Sequence, residues 1–533
     1  MNLKIEPGKI KEYATQLKNN IINSKKYWMI FLFILFIASL SMIGMENINH
    51  PKMEIIVLNL LSFLGIICIS YYQGHNDDKE FYKTVFIVLL LFGIIFSFLI
   101  PVMSGSDEVE HFVRAEITSN GIIFPEFKDI PFKYEKFNQH GYFLTIQSTL
   151  DLIDDSKNTR DGGFDSIDLK NASVFNINAD DKPINYTLVK YPAAFAQNPF
   201  FGYIFSAFGI LLAKLLDLNA VWMLWLGRIF NSLLYAGLVS LAIRKTPILK
   251  LPLFIFSALP LFLMQSSIIS IDPLINGLGI LAIAYFCYMY KASENTLNQK
   301  HVVKFSIIIL LLGMCKVTYF FFIFLILFVP VSNFKRKKYY YYGILSIFVL
   351  IMFLALWSKF YVTPGLLNSF RHGLVSNRAI PIEQLKYILS HKKDAFVHLL
   401  QLPLTISGNL TFTWNYNSLI LMFLGAVCFL YPKEKFELKS RIGALLVFFM
   451  IYFGTYMVFL FSWTPAGQLD IIGVQPRYFY PAFALLPFIL GFNDIHVNID
   501  QLKMDSYLFM ISISFIVIFL MDVVIQVYLL FKK

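Results

Sequence analysis

A cluster of ionisable residues begins at Asp107, directly after the apolar run 85–102. In a helix, Asp107, His111 and Arg114 stand at i, i+4 and i+7 and share one face, with Glu108 three residues before His111. That surface carries a carboxylate pair, a titratable imidazole and a fixed cation, which can exchange protons and neutralise negative charge. Such groups at the mouth of a membrane helix indicate a function, because removing them from water is costly.

The same stretch carries a helix-start signal. Ser104 precedes Asp107 by three residues, a spacing that fits a capping box and predicts a helix starting at Ser104. Both carboxylates would then lie at the positive end of the helix dipole. The alternative interpretation is a capped helix at the membrane surface whose charges are only solvated.

Composition indicates the protein class. The chain has 533 residues, of which 57% are hydrophobic and 15% charged, with 56 Phe. Its mean hydropathy of +0.62 leaves too little polar surface for a soluble protein. The sequence therefore predicts an all-α polytopic membrane protein.

The net charge of +11 is unevenly distributed along the chain. Residues 103–198 hold 15 of the 34 acidic residues against 9 basic ones, so this stretch is net −6 and the remainder +17. The basic surplus follows the positive-inside rule and does not indicate nucleic-acid binding. It places the basic tail 1–26 in the cytoplasm and the acidic stretch outside.

Hydropathy and basic clusters together predict about thirteen transmembrane segments. They lie near 27–45, 54–72, 83–102, 221–243, 248–266, 273–290, 302–315, 318–333, 340–361, 417–431, 442–462, 477–492 and 507–530. The apolar stretch 200–216 is predicted to lie along the outer interface, because counting it as a span would place Arg244 and Lys245 outside.

This topology divides the chain into six regions. The predicted regions are a cytoplasmic tail at 1–26, three N-terminal spans at 27–102, an external folded loop with interfacial helices at 103–220, spans at 221–361, a second external loop at 362–416 and C-terminal spans at 417–533. It also places the Asp107/Glu108 pair, Asp272, Lys316 and Arg477 on the same side at the same depth. Arg477 on its own could also be an arginine that extends to lipid headgroups.

These residues resemble a known family. The pattern Asp107-Glu108-x-x-His111-x-x-Arg114 and the stretch Gly-Val-Gln-x-Arg-Tyr-Phe-x-Pro at 473–481 carry most of the resemblance. Weaker matches are Tyr191-Pro192, Asn198-Pro199, Gly227-Arg228, Ser270-x-Asp272 and Lys316. They are similar to a bacterial family of multi-pass membrane proteins, catalogued as a domain of unknown function and grouped with the GT-C glycosyltransferase superfamily. Pro476 stands where that family's pattern leads us to expect glycine.

The resemblance implies a GT-C-like fold and a sugar donor linked to polyprenyl phosphate, used on the outer face with a glycan or lipid acceptor. Carried onto matching positions, Asp107 is the catalytic base and Glu108 its partner, while His111 and Arg114 orient the acceptor or the carboxylates. Lys316 and Arg477 neutralise the leaving phosphate. Further binding residues are Asp272, Gln475 and Tyr478. An arginine fork suits phosphate oxygens, and a lipid-activated sugar needs no soluble nucleotide.

Two alternatives stay open at this point. A transporter or flippase of lipid-linked glycans would also have many spans, but its polar groups should line a path at mid-membrane. The second alternative is a metalloenzyme, which rests on Glu108-x-x-His111, half of a di-iron pair whose second Glu-x-x-His is absent from the sequence. A divalent cation held by Asp107 and Glu108 is the cofactor that these residues would suggest. The sugar, acceptor and linkage cannot be named from the sequence.

Overall fold

The computed structural model describes most of the chain. The described residues are 7–45, 52–75, 78–125, 132–134, 137–139, 142–155, 182–192, 194–367, 379–406, 417–430, 436–491 and 501–532. Parts of both predicted external loops, at 156–181, 368–378 and 407–416, lie outside this set.

The N-terminal part of the described chain is helical except for four short strands. Its elements are α1 (Pro7–Asn23), α2 (Lys25–Met45), α3 (Lys52–Gly74), α4 (Phe81–Leu99), α5 (Glu108–Ser119), β1 (Phe132–Tyr134), β2 (Phe137–Gln139), β3 (Tyr142–Ile146), α6 (Gln147–Asp155), β4 (Leu188–Pro192), a 3₁₀ turn (Phe200–Gly202), α7 (Ile204–Leu215) and α8 (Ala220–Lys245).

The remaining described elements are all helical. They are α9 (Lys250–Ser257), α10 (Pro260–Gln265), α11 (Asp272–Tyr290), α12 (Gln299–Cys315), a 3₁₀ helix (Val317–Phe328), a 3₁₀ turn (Val331–Asn333), α13 (Lys337–Trp357), a π-helical turn (Ser358–Val362), α14 (Thr363–Leu367), α15 (Pro381–Ser390), α16 (Lys392–Gln401), a 3₁₀ turn (Leu402–Thr405), α17 (Asn417–Leu430), α18 (Leu438–Ser462), a 3₁₀ helix (Pro476–Phe479), α19 (Tyr480–Phe483), α20 (Leu486–Leu490) and α21 (Gln501–Lys532).

Eight helices within the described residues are long and apolar enough to cross a membrane. They cover Lys25–Met42, Ile55–Gly74, Phe81–Leu99, Ala220–Lys245, Asp272–Tyr290, Lys337–Gly365, Leu438–Ser462 and Leu502–Ile525. Each coincides with a predicted span, so the prediction of a helical multi-pass membrane protein is confirmed. The other five predicted spans fall on helices that are shorter or broken.

Prolines explain two of these broken segments. Pro260 begins α10 and separates it from α9, so 248–266 is not one continuous helix. Pro476, Pro481 and Pro487 divide 476–490 into a 3₁₀ turn and two short α-helices. Proline has no N–H to donate and its ring clashes with the preceding turn, so a helix restarts at each one. Broken helices are tolerated in a membrane protein where they are buried within the protein.

Helix α8 is the centre of the packing. Asn219 caps its N-terminus by accepting a hydrogen bond from Trp222 N at 3.1 Å. It packs against α4, α7 and α11. Gly209 of α7 permits this packing, because a Cβ there would lie 2.4 Å from Leu226 O. Small residues at such crossings let helix backbones approach closely where lipid supplies no hydrophobic driving force.

The region after the third span is folded where it is described. Strands β3 and β4 form an antiparallel pair from Tyr142↔Pro192 to Ile146↔Leu188. Thr145 Oγ1 donates to the buried Glu116 Oε2 of α5 at 2.7 Å. Lys214 of α7 donates to the other carboxylate oxygen at 2.7 Å. A strand and two helices are thus joined at one carboxylate, which fixes the orientation of α5.

Candidate functional site

The turn between α4 and α5 positions the charged motif, but it is not the capping box predicted from Ser104. Ser104 Oγ donates to Pro101 O at 2.9 Å, and α5 begins at Glu108. Asp107 precedes the helix with φ 57°, and its side chain makes no cap hydrogen bond. Left-handed backbone is unfavourable for a residue with a Cβ, although aspartate tolerates it better than most. Such strain persists only where neighbouring contacts fix the conformation.

Glu108 supplies the strongest of these contacts. Its carboxylate receives Arg228 Nε at 2.7 Å and Arg228 Nη2 at 2.5 Å, in a fully buried ion pair. The backbone N–H groups of Ile269 and Gly105 donate to the same carboxylate at 3.0 and 3.2 Å. Four donors therefore fill the acceptor positions of Glu108.

Arg228 is equally saturated. Its remaining N–H groups donate to the carbonyls of Ser97 (3.1 Å), Ile100 (2.6 Å) and Pro101 (2.8 Å). These are the free carbonyls at the C-terminal end of α4 and in the turn that follows it. The pair therefore fixes the turn in place, and neither side chain has a free position for a substrate. The predicted partnership of Glu108 with Asp107 is not what the structure shows.

Asp107 instead meets a second arginine. Its Oδ2 accepts a close hydrogen bond from Arg477 Nη2. Arg477 Nη1 donates to Asp272 Oδ2 at 3.2 Å and to Ser106 O at 3.1 Å. The Arg477 side chain is 5% exposed, so it is held inside the protein and does not extend to lipid headgroups. Asp107, at 19%, is the more accessible partner.

Asp272 is positioned by its own neighbours. Gln265 Nε2 donates to Asp272 Oδ2 at 2.9 Å, and the Asp272 N–H donates to Ser270 Oγ at 3.2 Å. Asp272 opens α11, where a carboxylate is favoured by the helix dipole. It is therefore a fixed second anchor for Arg477.

A second cation, Lys316, lies near Arg477 because both contact the ring of Tyr478. Lys316 Nζ lies 3.4 Å from the centre of the Tyr478 ring, and Arg477 Cζ lies 5.3 Å from it. The Tyr478 carbonyl accepts Tyr319 OH at 2.7 Å, and its ring stacks on Phe459 with centroids 5.3 Å apart. A cation over a tyrosine face is stabilised by the ring quadrupole. Tyr478 thus holds both cations near one ring.

The electrostatics of the two cations differ. Burial lowers the pKa of Lys316 well below its usual value; Asp272 opposes this shift and Arg477 reinforces it. Arg477 contacts the carboxylates of Asp107 and Asp272, and two such contacts favour the charged form of its guanidinium. Arg477 is therefore the fixed charge of the cluster and Lys316 the group whose charge responds to its surroundings.

Both cations have unused donors. Arg477 Nε is buried and has no hydrogen-bond partner among the described residues. Within the same part of the chain, Lys316 Nζ has neither a hydrogen bond nor a carboxylate within 4.0 Å; its neighbour is the Tyr478 ring. Buried donors are normally paired, so the unpaired Nε of Arg477 is a position where the cluster can accept an anion, and Lys316 Nζ lies over the neighbouring tyrosine ring. Arg477 can receive it on its Nε edge while its other edge stays on the carboxylates.

His111 and Arg114 lie apart from this cluster. His111 Nδ1 is 2.6 Å from Tyr203 OH, and its ring stacks on Phe195 with centroids 4.0 Å apart. Arg114 donates to Thr118 Oγ1 at 2.6 Å and lies over the Tyr203 ring. Burial lowers the pKa of Arg114, and Tyr203 opposes this shift.

Most of the sequence-predicted site residues therefore converge. Asp107, Asp272, Lys316, Arg477 and Tyr478 form one site, which is called the Arg477 cluster below. Gln475 contributes its carbonyl, which accepts Tyr478 N at 3.0 Å. Glu108, His111 and Arg114 are directed elsewhere.

The sequence interpretation missed two positioning residues. Arg228 was not recognised as the partner of Glu108, although a buried arginine in an apolar helix requires a carboxylate partner. Gln265, which orients Asp272, carries no signal of its own in an apolar segment.

A divalent cation does not fit the predicted pair. Glu108 is saturated by four donors, and Asp107 contacts the positive charge of Arg477. Within the described residues, no group of three or more His, Cys, Asp or Glu side chains is arranged to hold a metal ion.

Comparison with known proteins gives one match. A family described as "Predicted membrane protein (DUF2142)" matches residues 90–486, which include the whole Arg477 cluster. No curated protein and no solved structure matches the chain.

Proposed function

The chain belongs to this family of predicted membrane proteins of unknown function, and from that premise and the Arg477 cluster we propose that it is a membrane glycosyltransferase of the GT-C type. It transfers a sugar from a polyprenyl-phosphate donor to a cell-surface glycan or lipid-linked acceptor on the outer face of the membrane. Asp107 is the catalytic base, and Arg477 with Lys316 binds the donor phosphate.

The observation that carries the proposal is the pairing of a reachable carboxylate with two under-used cations. Asp107 is part-exposed, while Arg477 Nε and Lys316 Nζ have no acceptor among the described residues. Glycosyl transfer requires a base at the attacking hydroxyl and positive charge at the departing phosphate. The cluster supplies both within one set of contacts.

The reaction follows from these positions. The oxygen of the acceptor hydroxyl bonds to the anomeric carbon of the sugar, and Asp107 accepts the proton that this hydroxyl loses. The bond between that carbon and the phosphate oxygen breaks, and its electron pair leaves with the polyprenyl phosphate. Arg477 Nε and Lys316 Nζ stabilise this charge by charge-assisted hydrogen bonds. Asp272 and Ser106 keep the guanidinium in place during the step.

The decisive experiment compares cell-surface glycans by mass spectrometry. A strain lacking the protein is compared with the same strain carrying the wild-type chain. We expect the deletion to remove one sugar from an otherwise intact glycan, and the wild-type chain to restore it. Accumulation of a complete lipid-linked glycan on the cytoplasmic side would instead show a flippase and contradict the proposal.

The outer-face placement has its own test. Ile122, 41% exposed, follows α5, and Lys337 begins α13 in a basic cluster. In a background without the four native cysteines, Ile122→Cys should react with an impermeant thiol reagent added outside, and Lys337→Cys should not. The reverse pattern would place the Arg477 cluster on the cytoplasmic side.

A further inference from the structure

Arg114 is a buried cation whose described hydrogen bonds go to neutral oxygens. Its side chain is fully buried, and its two terminal nitrogens donate to Thr118 Oγ1 at 2.6 Å and to Ile123 O at 3.1 Å. Arg114 Nε is buried and has no hydrogen-bond partner in the described part of the chain. Buried charges are normally paired with an opposite charge, as Arg228 is with Glu108. Arg114 therefore offers an N–H and a positive charge to an anion.

Two more unpaired polar atoms belong to residues around Tyr361, a neighbour of Arg114. The Tyr361 side chain lies within interaction range of the Arg114 guanidinium, and its hydroxyl donates to Asn198 O at 3.2 Å. The Tyr361 ring stacks on Trp357 with centroids 4.1 Å apart, and Gln197 directly precedes Asn198. Trp357 Nε1 and Gln197 Oε1 are both buried without a partner among the described residues. Unpaired buried groups are rare in folded proteins, so their grouping around one tyrosine indicates a ligand site.

A single layer of chain separates this site from solvent. Ile123, whose carbonyl accepts from Arg114, is 43% exposed, and the next residue, Phe124, is 60% exposed. The Phe124 ring packs edge-on against Tyr361 with centroids 5.7 Å apart. Tyr361 itself lies on a π-helical turn, a feature that is frequent at functional sites. A small displacement at 123–124 therefore gives a ligand access to Arg114.

Helix α5 places the Arg114 site near the Arg477 cluster. Asp107 directly precedes α5, and Arg114 is two helical turns further on, about 10 Å along the helix axis. Tyr203 lies between the two sites, with the Arg114 guanidinium 5.5 Å from the centre of its ring. Burial raises the pKa of Tyr203, and the charges of Arg114 and Asp272 act on it in opposite directions. A short oligosaccharide is long enough to reach from Arg114 to Asp107.

We propose that Arg114 binds a negatively charged group of the acceptor, a carboxylate or a phosphate, close to the hydroxyl that reacts at Asp107. The inference rests on the proposed function, and it adds the chemical class of the acceptor. The donor phosphate has its own cations in Arg477 and Lys316, so the anion at Arg114 belongs to the other substrate.

The unpaired groups supply the contacts that such an acceptor needs. Arg114 Nε donates to the anion by a charge-assisted hydrogen bond. Trp357 Nε1 and Gln197 Oε1 offer a donor and an acceptor to sugar hydroxyls, and Tyr203 supports the guanidinium through its ring. A neutral acceptor leaves the charge of Arg114 unpaired, so the site selects against it.

The test is a titration of the full chain in phosphatidylcholine nanodiscs, followed by saturation-transfer NMR. The probes are D-glucuronate, D-glucose 6-phosphate and neutral D-glucose. We expect the charged sugars to bind about tenfold more tightly than glucose, which corresponds to one charged hydrogen bond. The affinities of the two charged sugars show whether the site takes a carboxylate or a phosphate.

Variants locate the binding. Arg114→Gln removes the charge and should weaken glucuronate to the level of glucose. Arg477→Lys, in the other cluster, should bind glucuronate as the wild type does, and so should the matched control Arg336→Gln, an exposed position at the other end of α13. If Arg114→Gln fails to fold, Trp357→Phe keeps the ring that stacks on Tyr361 and removes only the N–H. It should weaken glucuronate about threefold.

Four binding results would overturn the inference. They are equal affinity for charged and neutral sugars, glucuronate binding that survives in Arg114→Gln (or in Trp357→Phe, where Arg114→Gln does not fold), glucuronate binding lost in Arg477→Lys, and charged-sugar binding lost in phosphatidylglycerol nanodiscs. The last of these would show that a bilayer headgroup occupies the site.

The inference and the proposed function fail separately, because probe binding requires no turnover. A chain that binds glucuronate as expected but restores no sugar to the deletion strain would refute the proposed function and leave an anion site. Restored sugar without charged-sugar binding would refute this inference alone. The sugar missing from the deletion strain should also lie next to an acidic or phosphorylated residue of the glycan, and attachment to a neutral stretch would contradict the inference.

Discussion

Two arginine–carboxylate clusters begin at adjacent residues and differ in the exposure of the carboxylate and in how many hydrogen-bonding groups are paired. Glu108 and Arg228 are fully buried, and every donor and acceptor of the pair is used within the protein. In the second cluster, the Asp107 side chain is part-exposed to solvent. Arg477 Nε has no hydrogen-bond partner within the described residues. A saturated pair fixes the backbone, whereas an unsaturated one can receive a ligand.

The comparison shows how a strained turn can be maintained. Asp107 has a left-handed backbone that costs free energy, and the neighbouring Glu108 is anchored by four donors. Gly105 fits tightly in the same turn, where a Cβ would lie 2.7 Å from Ile268 Cδ1. The stability of the Glu108–Arg228 pair therefore determines where the Asp107 carboxylate points.

The sharpest test of this division of roles is Asp107→Asn. The amide keeps the size of the side chain but cannot take up a proton near neutral pH, so sugar transfer should fall about 10²–10⁴-fold. Folding should be retained, since Asp272 still contacts Arg477. The measurement is transfer by membranes with matched protein levels, with the exposed Asp394→Asn as control.

A fully active Asp107→Asn protein would overturn the assignment of the base. Because Glu108 is saturated by four donors, the role could not simply pass to it. The carboxylate mechanism would then have to be abandoned.

The second prediction concerns the saturated pair. Glu108→Gln places an amide N–H₂ against donors from Arg228 and from the backbone of Gly105 or Ile269. Breaking one side of a buried ion pair costs about 3–5 kcal/mol, so the free energy of unfolding should drop by that order. Thermal unfolding in detergent measures it, and Glu383→Gln, on an exposed position, serves as control. Wild-type stability with lost transfer would instead give Glu108 a direct role in the reaction.

Much of the fold was predictable because it depends on local composition. Each of the eight membrane-length helices lies where hydropathy and basic clusters predicted a span. The breaks at Pro260 and within 476–490 were harder to place, since an apolar run with prolines has the same hydropathy as an unbroken one.

For the site, the predicted topology indicated which residues lie near one another but not which side chains contact each other. Placing Asp107, Asp272, Lys316 and Arg477 at one depth was enough to anticipate their convergence. The helical spacing predicted that Asp107 and Glu108 form a carboxylate pair, and this was wrong. The chain turns at Asp107 before α5 begins, so the two carboxylates point in different directions and contact different arginines. Which of two distant arginines each carboxylate meets depends on packing between α4, α8 and 476–479, and spacing does not encode this.

The third prediction tests the anion site on the open cluster. Arg477→Lys keeps the charge but loses the planar fork, so it cannot hold Asp107, Asp272 and a phosphate at once. We expect donor affinity to fall by about 1.5–3 kcal/mol, the contribution of a charged hydrogen bond. Titration with a lipid-phosphate donor analogue measures it, with Lys359→Arg, on the π-helical turn, as an unrelated charge-conserving control. Equal affinity would relocate the phosphate site.

The smallest expected effect concerns Lys316 and pH. Burial holds its pKa well below the usual lysine value, so the free site loses this charge as pH rises through that lowered pKa. Phosphate binding favours the ammonium form, and donor affinity should therefore decline on the alkaline side by up to about tenfold per pH unit. A phosphodiester donor keeps its charge there, and an arginine stays protonated, so neither the donor nor Arg477 adds a slope. Lys316→Arg should bind with little pH dependence. Wild-type and Lys316→Arg titrations with the same slope would show that Lys316 does not contact the phosphate and leave Arg477 as its sole described cation.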